Sequence, residues 1–403
     1  MYKLILKLAW KNSFLRRVRT LLVIIMIAVS MSMMLVLEGV YDGLVKNMVD
    51  KNKRSQSGDI SIFAKEYRVS RDLANRIKNA DEIKAQLQST KGVEAVVLRV
   101  KADGLLSTAR KSSFASLIGI DLKEEERFGK FSEFLKEGVI DFQKQGAIVG
   151  IELAKTLKLR IGSKVVFSTQ DIKGEINSIA LHVRAIVQTT NIGLDKGAIF
   201  IDINQAHKFL GTTSQDAMQI AIRGEDRELY GKLKRAFPNL DVKEFLELQP
   251  MMKMMQDVMI IFNSVTFLIV MGVVFIGIFG VMYVSILERV REFGIMISLG
   301  MPYRYIRAQI FLESIVVGLL GYLAGAVLGA ILLIYLERYG IDLSAFSDAL
   351  EMWGYEAVIY ATIKVSYFTT TFGAIITASL LSVIIPLSRI KKLNPIEVIK
   401  ADK

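Results

Sequence analysis

The residues that most enzymes use are scarce in this chain. It has no cysteine and two histidines, His182 and His207. That excludes a thiolate nucleophile, a thiolate metal site and a disulfide framework. A zinc site or a Ser-His-Asp triad would rest on two isolated imidazoles, each of which reads as a packed or surface histidine. No GxxxxGK(S/T), HExxH, CxxC or GxSxG pattern occurs. The chain therefore has no P-loop of its own to cradle nucleotide phosphates, and no zincin or nucleophile-elbow signature. The adjacent acids Glu124, Glu125 and Glu126 suit a solvated turn better than paired catalytic carboxylates. Glu313 lies at the edge of a long apolar run, within reach of Arg304 or Arg307. A carboxylate inside a membrane is a functional hypothesis by default, and this near the end of a run an anchoring role fits as well.

One short stretch concentrates charge, apolar side chains and glycine. It begins with Glu288, Arg289, Arg291 and Glu292. An apolar centre follows (Phe293, Ile295, Met296, Ile297, Leu299) with Gly294 inside it. It closes on Gly300-Met301-Pro302 and a basic segment with Arg304 and Arg307. The stretch is too short for a domain, and as a mere charged linker it would leave its apolar centre exposed for no reason. A rigid amphipathic element that docks into a groove of a partner accounts for it.

The elements around it follow from composition. Of 403 residues, 52% are hydrophobic and 23% charged. That pairing implies segregation into very apolar segments and an ordinary soluble block. Leu21–Leu37, Val258–Leu287, Ser314–Leu336 and Val365–Ser388 carry no charge. A helix needs about 20 apolar residues to cross the hydrocarbon core, so the last three qualify outright. The first qualifies with Thr20 and Glu38 to Val40 added. Its long leading region and long apolar run argue against a signal peptide.

The short loops set the orientation. Six basic residues and no acid precede the first run, and the loop 288–308 and the tail 389–403 are also net basic. The loop 337–364 has two basic and five acidic residues. The positive-inside rule puts both termini and loop 288–308 in the cytoplasm. The net charge of +12 is then mostly inner-face anchoring and calls for no nucleic acid, only membrane lipids. The expected organisation is an amphipathic cytoplasmic helix at 1–20, transmembrane helices at 21–41, 258–287, 309–336 and 365–388, an extracytoplasmic domain with stalks at 42–257, the cytoplasmic loop, the external loop and the tail. The fold class is thus membrane α-helical, with four transmembrane helices and a large α+β extracytoplasmic domain inserted between helices 1 and 2.

Within that domain, runs rich in β-branched residues predict strands at 59–63, 93–100, 114–120, 147–149, 164–168, 179–188, 197–201 and 218–222. Helices are predicted at 70–89, with Ser70 as N-cap, and at 151–157, 203–209 and 225–237. The order implies a βαβ unit from each end of the segment, with an inserted subdomain between. Met251, Met252, Met254 and Met255 crowd the second stalk. They suit an adaptable surface or ordinary packing between stalks.

The stretch Glu288-Arg-Val-Arg-Glu-Phe-Gly294 with Ser298-Leu-Gly300 resembles the coupling element of FtsX/MacB-type ABC transporter permeases. Other segments, in order, are similar to the same family. They are Leu8-Ala-Trp-Lys-Asn12 with Arg16 to Thr20, Gly58 to Ile62, Ala147 to Ala154 with Leu159 to Val165, and Leu393 to Val398. Size makes the chain most similar to the lipoprotein-releasing permeases of LolC/LolE type.

The resemblance implies a MacB-like periplasmic core domain in the inner membrane of the cell, and a transport permease rather than an enzyme. ATP and magnesium would bind the cytoplasmic ABC ATPase subunits, with no cofactor on this chain. A second permease, copy or paralogue, would complete the membrane part. Lipoprotein cargo would enter between helices 1 and 2 and pass to a periplasmic carrier. Glu288, Arg289, Arg291, Glu292, Phe293, Gly294, Leu299, Gly300 and Arg304 would contact or shape the ATPase joint. Two departures stand out: the hairpin Thr169–Leu181 has no proline to hook a carrier, and Ile297 replaces a residue that is often basic. Two alternatives remain open: an efflux or mechanotransmission permease acting on other periplasmic proteins, and an FtsX-like regulator of an extracellular hydrolase.

Overall fold

The computed structural model describes residues 17–189, 191–224, 228–346 and 357–391. The helix expected at 1–20 lies outside the described residues except for its last four, and so does the Leu393–Val398 segment. The chain forms two compact units. One joins Met1–Val45, Gln256–Leu343 and Val358–Lys403; the other joins Lys46–Met255 and Ser344–Ala357.

Helix α1 (Arg17–Asn52) opens the chain and runs into a π-helical turn, Lys53–Ser57. The second unit then follows in the order β1 (Ile60–Ala64), α2 (Ala80–Gln88), β2 (Ala95–Ser107), β3 (Ser112–Ile120), α3 (Leu122–Gly129), β4 (Leu135–Gly138), β5 (Gly146–Gly150), α4 (Ile151–Leu157), β6 (Lys164–Gln170), β7 (Ile176–Val187), α5 (Ile192–Gly197), β8 (Ala198–Asp202), α6 (Ile203–Leu210), β9 (Gln219–Arg223), α7 (Leu229–Ala236) and β10 (Leu240–Glu244). The two ends of the segment interlock. The strand order is β10-β1-β9-β2, with β1 antiparallel to both β10 and β9, and β9 antiparallel to β2. Each βαβ unit therefore has a strand of the other between its own two, the split arrangement of ferredoxin-like folds.

Strand β2 belongs to both halves of the domain. Ala95–Arg99 pair with β9, and Val100–Ser107 pair with β3. From there the ladder runs β2-β3-β8-β5-β7, and β6 pairs with both β7 and β2. Six strands of the inserted part thus form a ring closed on itself, with β4 added as a short edge strand on β7. Its interior is read by alternation: Ala102 and Leu106, Ala115 and Leu117, Val165 and Phe167, Leu181 and Val183 are all buried in one cluster. On the outer face, Ile118, Ile148 and Phe200 pack under Phe131, Phe134 and Leu194.

Two local expectations are corrected. The helix predicted at 70–89 begins only at Ala80, and Ser70 ends a separate single turn, Tyr67–Ser70. Side chains hold the intervening backbone out of a helix. Ser70 Oγ accepts from Asp72 N and Asn75 Nδ2, and Asp72 Oδ1 accepts from Ala74 N, the local competition by which Ser and Asp favour turns. The acids 124–126 form no solvated turn. They lie on α3, capped by Asp121, and Glu125 is buried against Arg99.

In the first unit, α8 (Pro250–Glu288), α9 (Val290–Ser298), α10 (Tyr303–Tyr339), α11 (Val365–Ser382) and α12 (Ile384–Lys391) follow in order. Among the described residues, four helical stretches are long and apolar enough to cross a membrane: Arg17–Ser57, Pro250–Glu288, Tyr303–Tyr339 and Val365–Ser388. The first packs closely on α10. A Cβ at Gly325 would lie 2.8 Å from the Ala28 carbonyl oxygen and 2.8 Å from Met31 Cβ, so glycine there permits the helix contact. Ser314 Oγ donates to the Ser379 carbonyl (2.6 Å), tying α10 to α11. A short antiparallel ladder of β11 (Ile341–Asp342) and β12 (Val358–Ile359) links these two helices.

Candidate functional site

The charged stretch between the second and third long helices folds into α9. Helix α8 ends at Glu288, and Arg289 leaves helical geometry before α9 begins. The far end closes by a Schellman motif. Gly300 N donates to the Ile297 carbonyl (2.9 Å) and Met301 N to the Met296 carbonyl (3.0 Å). Gly300 has φ +87° and nothing within 4 Å of where a Cβ would sit. Glycine is needed there for its backbone conformation, not for space. Pro302 then leads into α10, its fixed φ suited to a helix start.

A buried ion pair pins α9 to α10. Arg289 Nη1 donates to both oxygens of Glu313, at 3.0 and 3.1 Å, and Gln309 Nε2 donates to Glu313 Oε1 at 3.0 Å. The Arg289 guanidinium lies 5.1 Å from the Phe293 ring centroid, and its Nε donates to Glu292 (3.1 Å). Burial opposes the arginine charge, but the Glu313 carboxylate more than offsets this and holds the pKa above its ordinary value. Glu313 thus pairs with Arg289, not with Arg304 or Arg307 as the sequence suggested. The reason is geometric: Arg289 stands at the break between two helices and can turn back toward α10. Gln309, one helical turn before Glu313, completes the site and was not anticipated; its i, i+4 spacing was the available signal.

The expected docking residues separate into two groups. Phe293 and Gly294 are buried, so they seat the element and are not presented to a partner. Arg291, Glu292, Ile295, Leu299 and Arg304 are exposed, Leu299 by 82%. Arg291, Ile295 and Leu299 are four residues apart and share one face of the helical turns. Glu288 is a bracket at the other edge, taking both terminal nitrogens of Arg19 at 3.0 and 3.1 Å. Tyr303 OH donates to the Leu387 carbonyl (2.7 Å), which ties the start of α10 to α12. The arrangement is a short rigid helix, held from behind by charge and presenting a mixed basic and apolar face.

The other candidates do not assemble chemistry. His207 is buried on α6 with Nδ1 2.9 Å from Thr212 Oγ1, and burial pushes its pKa down. His182 is exposed on β7. The methionines of the second stalk divide: Met252 packs with Met48 and Phe245, whereas Met251 and Met254 are exposed. The β6–β7 hairpin closes on Asp171, whose carboxylate accepts from Lys173 N, Glu175 N and Asn177 Nδ2. Gly174 has positive φ there.

Residues 20–240 match the family described as MacB-like periplasmic core domain, and residues 264–395 match the FtsX-like permease C-terminal family. The chain is similar to the lipoprotein-releasing system transmembrane protein LolE of Haemophilus influenzae, 21% identical over 348 residues, or 81% of this chain and 82% of that one. Among solved structures, the extracellular domain of the noncanonic ABC-type transporter YknZ from Gram-positive bacteria aligns with 46% of this chain and 99% of its own, at 15% identity and a TM-score of 0.32. The periplasmic region of MacB from Actinobacillus actinomycetemcomitans aligns with 48% of this chain and 92% of its own, at 16% identity and a TM-score of 0.33.

Proposed function

The chain belongs to the family of ABC transporter permeases that join a MacB-like periplasmic core domain to an FtsX-like permease region, and from that premise we propose that it extracts lipoproteins from the inner membrane, driven by ATP hydrolysed on a separate ATPase subunit. The observation that carries the energy-coupling part is α9. The Arg289–Glu313 pair anchors it, and it offers Arg291, Ile295 and Leu299 outward. A rigid amphipathic helix of this kind fits a groove on a partner, and the chain has no nucleotide-binding motif of its own.

In this reading both termini and α9 face the cytoplasm, by the distribution of basic residues, and the mixed-strand domain faces the periplasm. Two permease chains and two ATPase subunits form the working unit. Glu288 and Arg289 fix the loop, Gly294 and Phe293 seat it, Gly300 turns it, and Arg291, Glu292, Leu299 and Arg304 meet the ATPase. ATP binding shifts α9, and the long helices carry that shift to the external domain. Lipoprotein as cargo is supported by the named function of the H. influenzae relative. A periplasmic carrier would meet a surface other than the compact β6–β7 turn.

The test is reconstitution in vesicles with the cognate ATPase and a fluorescent lipoprotein. ATP-dependent release of the lipoprotein to the soluble fraction is expected. ATPase turnover stimulated by the permease without release would overturn the cargo and favour action on another periplasmic protein. Failure of the ATPase to bind the permease would overturn the coupling itself.

A further inference from the structure

A second polar centre, unrelated to α9, sits where the long helices end in the external domain. Helix α1 stops at Asn52 and widens into the π-turn Lys53–Ser57, closed by Gly58 N donating to the Lys53 carbonyl at 2.8 Å. Single π-turns are rare and mark functional positions disproportionately. Gln56 lies on this turn. Its side-chain oxygen accepts from Asn191 Nδ2 (2.7 Å) and from Gln249 Nε2 (2.8 Å). Its backbone oxygen accepts from Arg99 Nη1 and from Gln219 Nε2 (3.3 Å). A carbonyl oxygen has two lone pairs, so both oxygens of this residue are fully used.

The four donors come from four different places. Gln249 immediately precedes α8. Asn191 caps α5 on the outer face of the strand ring, accepting from Gly193 N and Leu194 N. Arg99 is on β2 at the point where the strand passes from β9 to β3. Gln219 is on β9. One residue at the end of α1 thereby bonds the start of α8, the ring and the split βαβ layer. Met48 of α1 and Met252 of α8 also meet, through Phe245. Thioether packing is adaptable and non-directional, so the direction of the joint comes from the amide.

We propose that Gln56 is a positioning residue that holds the last turn of α1 and the first turn of α8 in one orientation against the strand layers of the second unit. This deepens the mechanical part of the reading above. Its measurement needs no ATPase, so the joint holds or fails independently of cargo and partner.

The chain has no cysteine, so spin labels can be placed cleanly in the full-length protein at Lys253→Cys and Lys173→Cys, both exposed positions. In lipid nanodiscs, pulsed electron paramagnetic resonance is expected to give one narrow distance peak. Gln56→Leu removes the shared side-chain acceptor but leaves the backbone oxygen and its two donors. That peak is expected to be lost to a broad distribution while the melting temperature of the protein stays close to the parent. Gln56→Glu keeps an acceptor in place and is expected to restore the narrow peak, which a purely structural role would not require. Gln249→Leu is expected to broaden the peak as well, and the double variant Gln56→Leu/Gln249→Leu to add nothing beyond Gln56→Leu, which already removes the contact to Gln249. If Gln56→Leu does not fold, Gln249→Leu with its own melting curve carries the same comparison. A narrow peak in folded Gln56→Leu, a broad one in Gln56→Glu, or additive effects in the double variant overturns the proposal.

Discussion

Arg99 with Glu125 in the external domain and Arg289 with Glu313 behind α9 are built from the same parts. Each arginine meets both oxygens of a buried glutamate and stacks near a phenylalanine. Phe128 lies 5.4 Å from the Arg99 guanidinium, and Phe293 lies 5.1 Å from that of Arg289. The Arg99 contacts are spread over two nitrogens, at 2.5 and 2.8 Å, whereas Arg289 uses Nη1 alone. The larger difference is where the remaining donors go. Arg99 turns its Nη1 inward to the Gln56 carbonyl, and both side chains of the pair are 3% exposed. Arg289 turns its Nε outward to Glu292, which is 58% exposed. The first pair is closed on all sides and braces the π-turn that carries Gln56 against β2. The second is connected to the surface through the Glu292 carboxylate, so a change at Glu292 reaches the buried pair.

The largest effect is therefore expected inside the closed pair. Glu125→Ala strands a buried guanidinium, a change that costs about 3–5 kcal/mol in comparable sites. The expected result is a marked fall in melting temperature, with faster hydrogen exchange along β2 and α3. Replacing the whole pair by apolar residues, Arg99→Met with Glu125→Leu, is expected to recover most of that stability. It would still lose the Arg99 contact to Gln56. Glu313→Ala is expected to cost less, about 2–3 kcal/mol, because Arg289 keeps Glu292 and some water. Its signature is faster exchange confined to α9 and the first turns of α10. An effect as large and as widespread as that of Glu125→Ala would erase the distinction drawn between the two pairs.

The two sites also differ in how far the sequence disclosed them. The loop was legible because its residues are contiguous: charges, an apolar centre and Gly300-Met301-Pro302 lie within twenty positions. Glu313 stood out as a lone acid beside an apolar run. Its partner was misread because sequence distance favoured Arg304 and Arg307, whereas the break after Glu288 aims Arg289 at it. The external pair could not be read in the same way. Arg99 lies in an otherwise apolar strand pattern, and Glu125 sits among three acids that look solvated. Their contact depends on α3 folding over β2, which is a long-range event. Gln56, Asn191, Gln219 and Gln249 carry no motif at all, being neutral amides spread over nearly two hundred positions.

The strands were nearly all legible from β-branched alternation. The closure of the ring was not, since it rests on β6 pairing with both β7 and β2. The helix predicted but absent at 70–79 shows the opposite failure: Ser70 reads as an N-cap, and the hydrogen bonds of Ser70 and Asp72 hold turns there instead.

A smaller perturbation separates the seat of α9 from its face. Gly300→Ala forces an L-residue into positive φ, which costs about 1–2 kcal/mol with no clash, since the surrounding space is open. The expected result is fraying at Ser298 to Met301, with the Arg289–Glu313 pair intact. Hydrogen exchange localised to these residues, together with weaker ATPase binding, checks it. Exchange that spreads to Arg289 would mean that turn and ion pair are one unit.

The smallest stability effect is expected at Glu292, and there the comparison is tested most directly. An exposed ion pair contributes about 0–1 kcal/mol, so Glu292→Lys should leave membrane levels and melting temperature unchanged. The substitution nevertheless reverses the charge at the outer end of the Arg289 contacts. Arg289 then faces a cation outside and Glu313 inside, and it is expected to withdraw fully to Glu313. The exposed face of α9 gains a positive charge beside Arg291, which would disfavour a partner groove shaped for the native pattern. ATP-driven release should fall while the ATPase still hydrolyses ATP, so that hydrolysis and release are uncoupled. The corresponding change in the closed pair has no surface residue through which to act. Normal release by Glu292→Lys at normal membrane levels would show that Glu292 does not link the partner to the buried pair, and the two arginine sites would then differ only in burial.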